Sequence, residues 1–589
     1  MRRAVRYSIG ARGIATRSNS PRRSRPVGWE VEAEDTVRVH GTAPPGGLSY
    51  VVRCPARVHR VLEARWELFQ PLWCSGQGGR IRMMMPFSRH AVVAVLIVLA
   101  CTGHRPSAQR VVADVPLDVF GRAASSSVQE ATAALAQIAA GWKPGYAAMI
   151  LDLAELSRPA SAAATEAPLR FPSRREGPNE LDRPALDPLE EEPAARAMSP
   201  VRDRLFRFLE KQTGKRFGHD FEQWHRWIWA LPYEPHADLA LFKGLLYEQI
   251  DPRMRQFFAR DVAATIRLDE VEWGGVTVNG IPPLDYPRHL PAPKADYLKD
   301  HHVVFGLAIN GETRAYPKRI LAWHELARDR VGDVEVTIVY CTLCGTVLPY
   351  ESVAGGRLRV LGTSGLLYRS NKLMFDEETK SLWSTLEGKP VVGPLVASGL
   401  VLKVHSVVTT TWGEWRRLHP ETTVLSIETG HKRDYSEGAA YREYFGTDRL
   451  MFTVPGQDTR LKNKAEVLVM RLEPAQAGAA SVPVAIAADF LKRRPVFHAE
   501  LAGRRLAILT SRNGANRVYD ATTTTFVRLD GDRHVLDDVG GRWQIGEEAL
   551  IGSGGPGAPE AAVRRERVPA QRAFWFGWHA QFPSTVLIR

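Results

Sequence analysis

The chain has 589 residues, 44% of them hydrophobic and 24% charged, which is ordinary for a globular protein and long enough for three or four cored units. Its net charge of +13 does not mark a polyanion binder: residues 1–82 hold 15 Arg, no Lys and 6 acidic residues, a net +9, leaving only +4 on the other 507. No basic stripe interleaved with aromatics runs through that remainder, so no nucleic-acid partner is expected.

Residues 1–82, with "RSNSPRRSRPVGWE" and "GTAPPGGLSY", show no sustained hydrophobic period. Met83 to Gln109 then combines a methionine start, a basic flank at Arg89 and His90, and a ten-residue apolar run from Ala91 to Ala100. This reads as a secretory signal peptide over 83–108, with an apolar core too short to span a bilayer. A signal must lead the chain, so translation is expected to start at Met83, Met84 or Met85, with 1–82 a doubtful extension from a gene-start error. "VLAC", Val98 to Cys101, weakly resembles a bacterial lipobox, which would lipidate Cys101; cleavage near Ala108 is the alternative. Either way the protein is expected outside the cytoplasm, as a periplasmic, secreted or lipid-anchored protein. No later apolar run reaches the roughly 18 residues of a membrane span.

Residues 123–157 read as two Ala/Leu-rich helices broken at "GWKPG", and 158–199, rich in Pro, Ala, Glu and Arg, as a disordered linker. Helical spacing returns over 200–258, where Leu205, Phe208 and Leu209 share a face and Trp224, Trp227 and Trp229 are most simply packing residues. After Ile266 the pattern alternates and is cut by Gly, Asn and Pro turns, with one helix expected over about 318–328. A first β-rich module is placed at 262–430.

"TWGEWRRLHPETTVL", Thr411 to Leu425, matches "WFGWHAQFPSTVLI" without a gap: Trp412, Trp415, Pro420 and Thr422 align with Trp575, Trp578, Pro583 and Thr585. Upstream, Asp376, Trp383 and Gly393 align with Asp537, Trp543 and Gly552, and Gly345 and Tyr350 with Gly514 and Tyr519. The expected fold class is therefore α+β: a helical N-terminal region followed by two tandem related β-rich modules, the repeat spanning 303–428 and 467–589.

Cys54 and Cys74 fall in the doubtful extension and Cys101 in the signal, so the mature chain is expected to hold only Cys341 and Cys344. They stand in "VYCTLCG", where the second copy has "LTSRNG". C-x-x-C spacing lets two thiols close a small disulfide ring or chelate one metal. Because "VEVTIVY" before it reads as a strand and "GTVLPYES" after it is not helical, the pair does not open a helix as in thioredoxin. A metal site would need more ligands. The candidates are His324, then His405, Glu325 and Asp329, for a soft copper or zinc site.

"DEVEWGGV" (Asp269–Val276), "NGETRAYPKRILAWHE" (Asn310–Glu325), "VYCTLCGT" (Val339–Thr346), "SGLLYRSNKLMFDEETKSLW" (Ser364–Trp383) and "TWGEW" (Thr411–Trp415) resemble, in order, the family known as domain of unknown function 3179. Its pattern usually has Pro after the first cysteine, where Thr342 stands here. The resemblance implies an exported bacterial or archaeal protein. It also implies redox chemistry at a cysteine position, since some members are regarded as candidate selenoproteins, but it brings no reaction. "KQTGKRFGHDFEQWHRWIW", Lys211 to Trp229, is similar to segments flanking HEAT-type repeats, which implies a protein contact through the helical region at most.

Three readings of Cys341 and Cys344 stand: a thiol-redox pair, which leads; a soft-metal chelate with His324; and a structural pair in a scaffold or protein-interaction module. No G-x-x-x-x-G-K-[ST], H-E-x-x-H or G-x-S-x-G occurs, so nucleotide, zincin and α/β-hydrolase chemistry have no support.

Overall fold

The computed structural model describes residues 28–32, 36–40, 50–53, 113–157, 199–474, 480–552 and 563–589. The expected signal peptide, Cys101, and all but the last residue of the 158–199 linker lie outside these. The chain forms two compact units, Met1–Gln109 and Arg110–Arg589. In the first, the strands Gly28–Glu32, Thr36–His40 and Tyr50–Arg53 form an antiparallel meander that the composition of 1–82 did not announce. Its short "GWEVE" and "TVRVH" runs suit extended backbone.

In the second unit the helical region comprises Leu117–Ala123, Val128–Ala140, Tyr146–Leu156, Pro200–Thr213, Phe221–Trp229 and Leu239–Tyr247. Ser127 and Asp220 cap two of these helices by accepting backbone N–H bonds, and Gly214, in the left-handed region, ends a third. Trp224, Trp229, Phe206 and Leu209 are buried in one core that continues into the first β-rich module through Leu366, Phe375 and Val392. A buried lysine joins the two parts: Lys243 Nζ lies 2.8 Å from an Asp152 carboxylate oxygen and donates to the Val271 carbonyl (2.9 Å). No helix among the described residues is long and apolar enough to cross a membrane.

The two β-rich modules repeat one topology. In the first copy, Val303–Ile309 pairs antiparallel with Val407–Thr411 on one side and with Glu312–Pro317 on the other, and Glu312–Pro317 pairs in parallel with Thr423–Leu425. In the second, Glu466–Leu472, Gln571–Phe574, Val482–Ala487 and Val586–Ile588 repeat those pairings. A three-stranded meander follows in each: Leu326–Val331, Val334–Cys341, Thr346–Glu351, and Val496–Leu501, Arg504–Thr510, Asn516–Asp520. A four-stranded meander comes next, over 361–392 and over 526–552.

Most of the residues aligned in sequence occupy equivalent places, but Gly393 and Gly552 do not: Gly552 lies opposite Trp543 inside its strand, whereas Pro390 stands opposite Trp383 and Gly393 follows the strand. Trp412 and Trp415 sit on the helix Trp412–Leu418, and Trp575 and Trp578 on Trp575–Gln581; all four are buried. The Tyr350 hydroxyl donates to the Thr385 carbonyl and the Tyr519 hydroxyl to the Gly546 carbonyl, both at 2.7 Å and both just past the third strand of the four-stranded meander. One expectation is corrected. The helix expected over 318–328 is Lys318–His324; Glu325, at φ 54°, stops it, and Leu326–Val331 is a strand. A left-handed Glu costs conformational energy and ends the α-helical path.

Candidate functional site

Each copy uses its tryptophan helix to cover the other copy's meander turn. Trp412 and Trp415 pack with Ala515 of the second copy, and Ser511 Oγ donates to Glu414 Oε2 (3.0 Å). Conversely, Phe574 N–H donates to the Cys344 carbonyl (2.8 Å). Gly577 lies so close that a Cβ there would come within 2.5 Å of the Cys344 Cβ. The ungapped tryptophan match aligns Gly577 with Glu414. A side chain reaches across in one copy, and the room for it is removed in the other.

Cys341 and Cys344 pair as a disulfide with Cα atoms 5.6 Å apart, at the end of Val334–Cys341 and in the turn after it. Both are buried, and they share a cluster with Leu343, Leu367 and Tyr444, edged by Tyr441, Phe445, Met451 and Phe452. The tyrosines, Phe445, Met451 and Phe452 belong to the segment between the copies, residues 426–465. Its Tyr444 hydroxyl donates to the Leu343 carbonyl inside the C-x-x-C (2.7 Å). So long a connection with little regular structure is unusual in a compact domain, and such loops commonly form lids and binding walls.

Under this segment lies a cavity of about 480 Å³. Cys341 lines it and Cys344 does not. With Cys341 stand Glu325 and Lys372 on the floor, Trp323 and Phe452 as apolar walls, and Arg442 towards solvent. Lys372 is buried and ties the floor together. Its ammonium donates to the carbonyls of Glu325 (3.0 Å) and Tyr340 (3.2 Å) and lies 3.3 Å from Glu325 Oε2. Thr342 Oγ1 donates to Glu325 Oε1 (2.9 Å). Burial pushes the Lys372 ammonium below the usual lysine range, opposed by the Glu325 carboxylate.

Of the expected metal ligands, Glu325 stands beside Cys341, while His324, His405 and Asp329 are engaged elsewhere. His324 Nδ1 is held by the Pro282 carbonyl (2.9 Å), and Nε2 is at hydrogen-bond distance from the Tyr435 hydroxyl, so neither ring nitrogen is free for the cysteines. Burial holds its imidazole down at about 4. His405 pairs with Glu351 (3.0 Å), and Asp329 pairs with Arg314 (2.7 Å) and accepts from Tyr316 (2.6 Å). Among the described residues no group of three or more His, Cys, Asp or Glu is arranged to hold a metal ion.

Sequence reasoning passed over Lys372 and Tyr444. The signal for Lys372 was a lysine inside the strand "NKLMFD", all of whose positions are buried. Glu325 was singled out for a different role. Strand register shows that this chemistry is confined to one copy. Leu326 opposite Val339 corresponds to Val496 opposite Leu509, which puts Pro495 at the position of Glu325 and Ser511 at that of Cys341. Met374 opposite Trp383 corresponds to Val535 opposite Trp543, which puts the exposed Arg533 at the position of Lys372.

Residues 278–585 match the model of a family described as protein of unknown function (DUF3179). No curated protein and no solved structure matches the chain.

Proposed function

The chain belongs to the DUF3179 family, and from that premise we propose that it is an exported thiol-redox module whose working centre is the Cys341–Cys344 pair. The observation that carries this reading is the asymmetry of the pair: Cys341 faces the cavity beside Lys372 and Glu325, while Cys344 lies beneath Gly577.

In the step this arrangement suits, a deprotonated substrate thiol attacks Cys341 Sγ. The Cys341–Cys344 bond breaks, a substrate–Cys341 disulfide forms, and Cys344 leaves as a thiolate that takes up a proton. A second substrate thiol then displaces Cys341, which is protonated in turn. Two electrons and two protons pass from a substrate dithiol to the protein, and a more oxidising disulfide partner takes them back. A cation beside a cysteine favours its thiolate, and Lys372, lowered by burial, is suited to hold and release a proton there.

The test is a redox titration of the native full-length protein in thiol–disulfide buffers, with the cysteines counted by alkylation and mass spectrometry. Reversible two-electron behaviour, at a potential in the range of about −120 to −270 mV spanned by thiol oxidoreductases, supports the reading. A pair that opens only on denaturation, with Cys341→Ser lowering Tm and nothing else, overturns it in favour of a structural staple.

A further inference from the structure

A second cavity, of about 180 Å³, lies between the two copies. The first copy lines it with Lys318, Thr409 and Thr410, the second with Glu466, Lys492 and Arg572. Tyr340 also lines it, so this wall ends one residue before the Cys341 of the larger cavity.

The charges here do not cancel. Glu466 is the one carboxylate in the lining, and it is held by Arg572 Nη1 (2.6 Å). The other two Arg572 nitrogens each donate as well: Nε to Asn516 Oδ1 (2.7 Å) and Nη2 to the Gly514 carbonyl (2.6 Å). Lys492 is at the rim, 3.2 Å from Asp489. Lys318 is the outstanding cation. Its ammonium sits 4.5 Å from the centre of the Phe445 ring, and Glu466 and Glu437 act on it only through space. Burial pushes both Lys318 and Arg572 below their usual ranges.

The Thr409 hydroxyl is buried and has no hydrogen-bond partner among the described residues. Thr409 lies opposite Phe305, on the strand face that lines the cavity, whereas Thr410 lies opposite Val304, on the face packed with Trp412 and Trp415. A buried hydroxyl left unpaired costs about 1–3 kcal/mol, and a half-buried cation without a counter-charge adds to that. Excess positive charge and an unused hydroxyl donor call for the same ligand. The volume suits a small ion with a few waters.

We propose that this cavity is a binding site for a free inorganic oxyanion of the phosphate or sulfate class, held between the copies by Lys318 and Lys492 and by the hydroxyl of Thr409. It is independent of the thiol chemistry, since no cysteine lines it.

The experiment uses the full-length protein with sodium phosphate and sodium sulfate as probes, against sodium chloride at matched ionic strength, read by calorimetric titration and thermal midpoint. The expected result is saturable binding of phosphate or sulfate, a midpoint that rises with their concentration, and no such rise in chloride. Thr409→Val, which keeps shape and removes one hydroxyl, and Lys318→Gln should each weaken binding at least tenfold. Should Lys318→Gln fail to fold, Thr409→Val together with Lys492→Gln carries the test. Absence of saturable binding to the wild type, or affinity unchanged in the folded variants, overturns the proposal.

Discussion

The two β-rich copies build the same frame around different turns. In the first copy five residues, Cys341 to Gly345, separate Tyr340 from Thr346; in the second, four residues, Ser511 to Gly514, separate Thr510 from Ala515, the equivalents fixed by Tyr350 and Tyr519. The backbone around them is the same: Tyr340 N–H donates to the Glu325 carbonyl, and Thr510 N–H to the Pro495 carbonyl, both at 2.8 Å. The second copy thus keeps its strands, its buried tyrosine and its tryptophan helix with Ser511, Pro495 and Arg533 where the first has Cys341, Glu325 and Lys372. A disulfide and a buried ion pair are therefore not requirements of this frame. In the first copy they stand beside a cavity, and in the second their replacements leave the frame intact.

That contrast can be broken at several points. The largest effect is expected at the buried pair. Lys372→Ala leaves the Glu325 carboxylate buried without its cation and should cost about 3–5 kcal/mol in denaturant unfolding. Arg533→Ala, at the exposed equivalent, should stay within about 0.5 kcal/mol. Equal costs at the two positions would remove the asymmetry.

Next is pH. His324 is buried and neutral with its pKa held down at about 4, against 6.5 when exposed. Between pH 6.5 and 4 the unfolded chain therefore takes up a proton that the folded chain refuses, and stability falls as pH falls through that window. The full effect is on the order of 3 kcal/mol. The difference in stability between wild type and His324→Gln, followed by denaturation at stepped pH, should shrink across this window, and the shifts of the buried Glu155 and Glu272 carboxyls cancel in it. The second copy has the exposed Arg494 two residues before Val496, where His324 precedes Leu326 in the first, so a matching variant there should show no such slope.

The smallest effect concerns the crossed helices. Gly577→Ala would gain about 1 kcal/mol from helix propensity alone. Its Cβ would meet Cys344 at 2.5 Å, and overpacking of this kind costs about 1–3 kcal/mol, so the net change should be destabilising. Glu414→Ala, the same position in the other copy, loses one hydrogen bond to Ser511 and should cost about 1 kcal/mol. A stabilised Gly577→Ala protein would show that the turn is not clamped.

The repeat was legible in the sequence because its markers are large and local: Trp, Trp, Pro and Thr recur without a gap, and all four tryptophans are buried on equivalent helices. The C-x-x-C turn between two strands was legible for the same reason. Glu325 was visible but its role was not, since a left-handed Glu closing a helix four residues early cannot be read from "AWHELARD". The hydrogen bonds of His324 could not be read from sequence, because its partners, Pro282 and Tyr435, are 42 and 111 residues away. Lys372 stayed hidden because its meaning is tertiary: a lysine in a strand is ordinary, and only the fold brings it to the carbonyls of Glu325 and Tyr340. The segment 426–465 carries no strand period, so its place over the cysteines could not be anticipated.

On the proposed redox reading, the first copy carries the working thiol, and that thiol is Cys341. This reading is tested most directly by trapping. Full-length Cys344→Ser and Cys341→Ser proteins are incubated under native conditions with a small disulfide, and the adducts are counted by intact mass. The account predicts one mixed disulfide on Cys341 in the Cys344→Ser protein and at least tenfold slower labelling of Cys344 in the Cys341→Ser protein. Equal labelling of the two thiols, or none before unfolding, would contradict it.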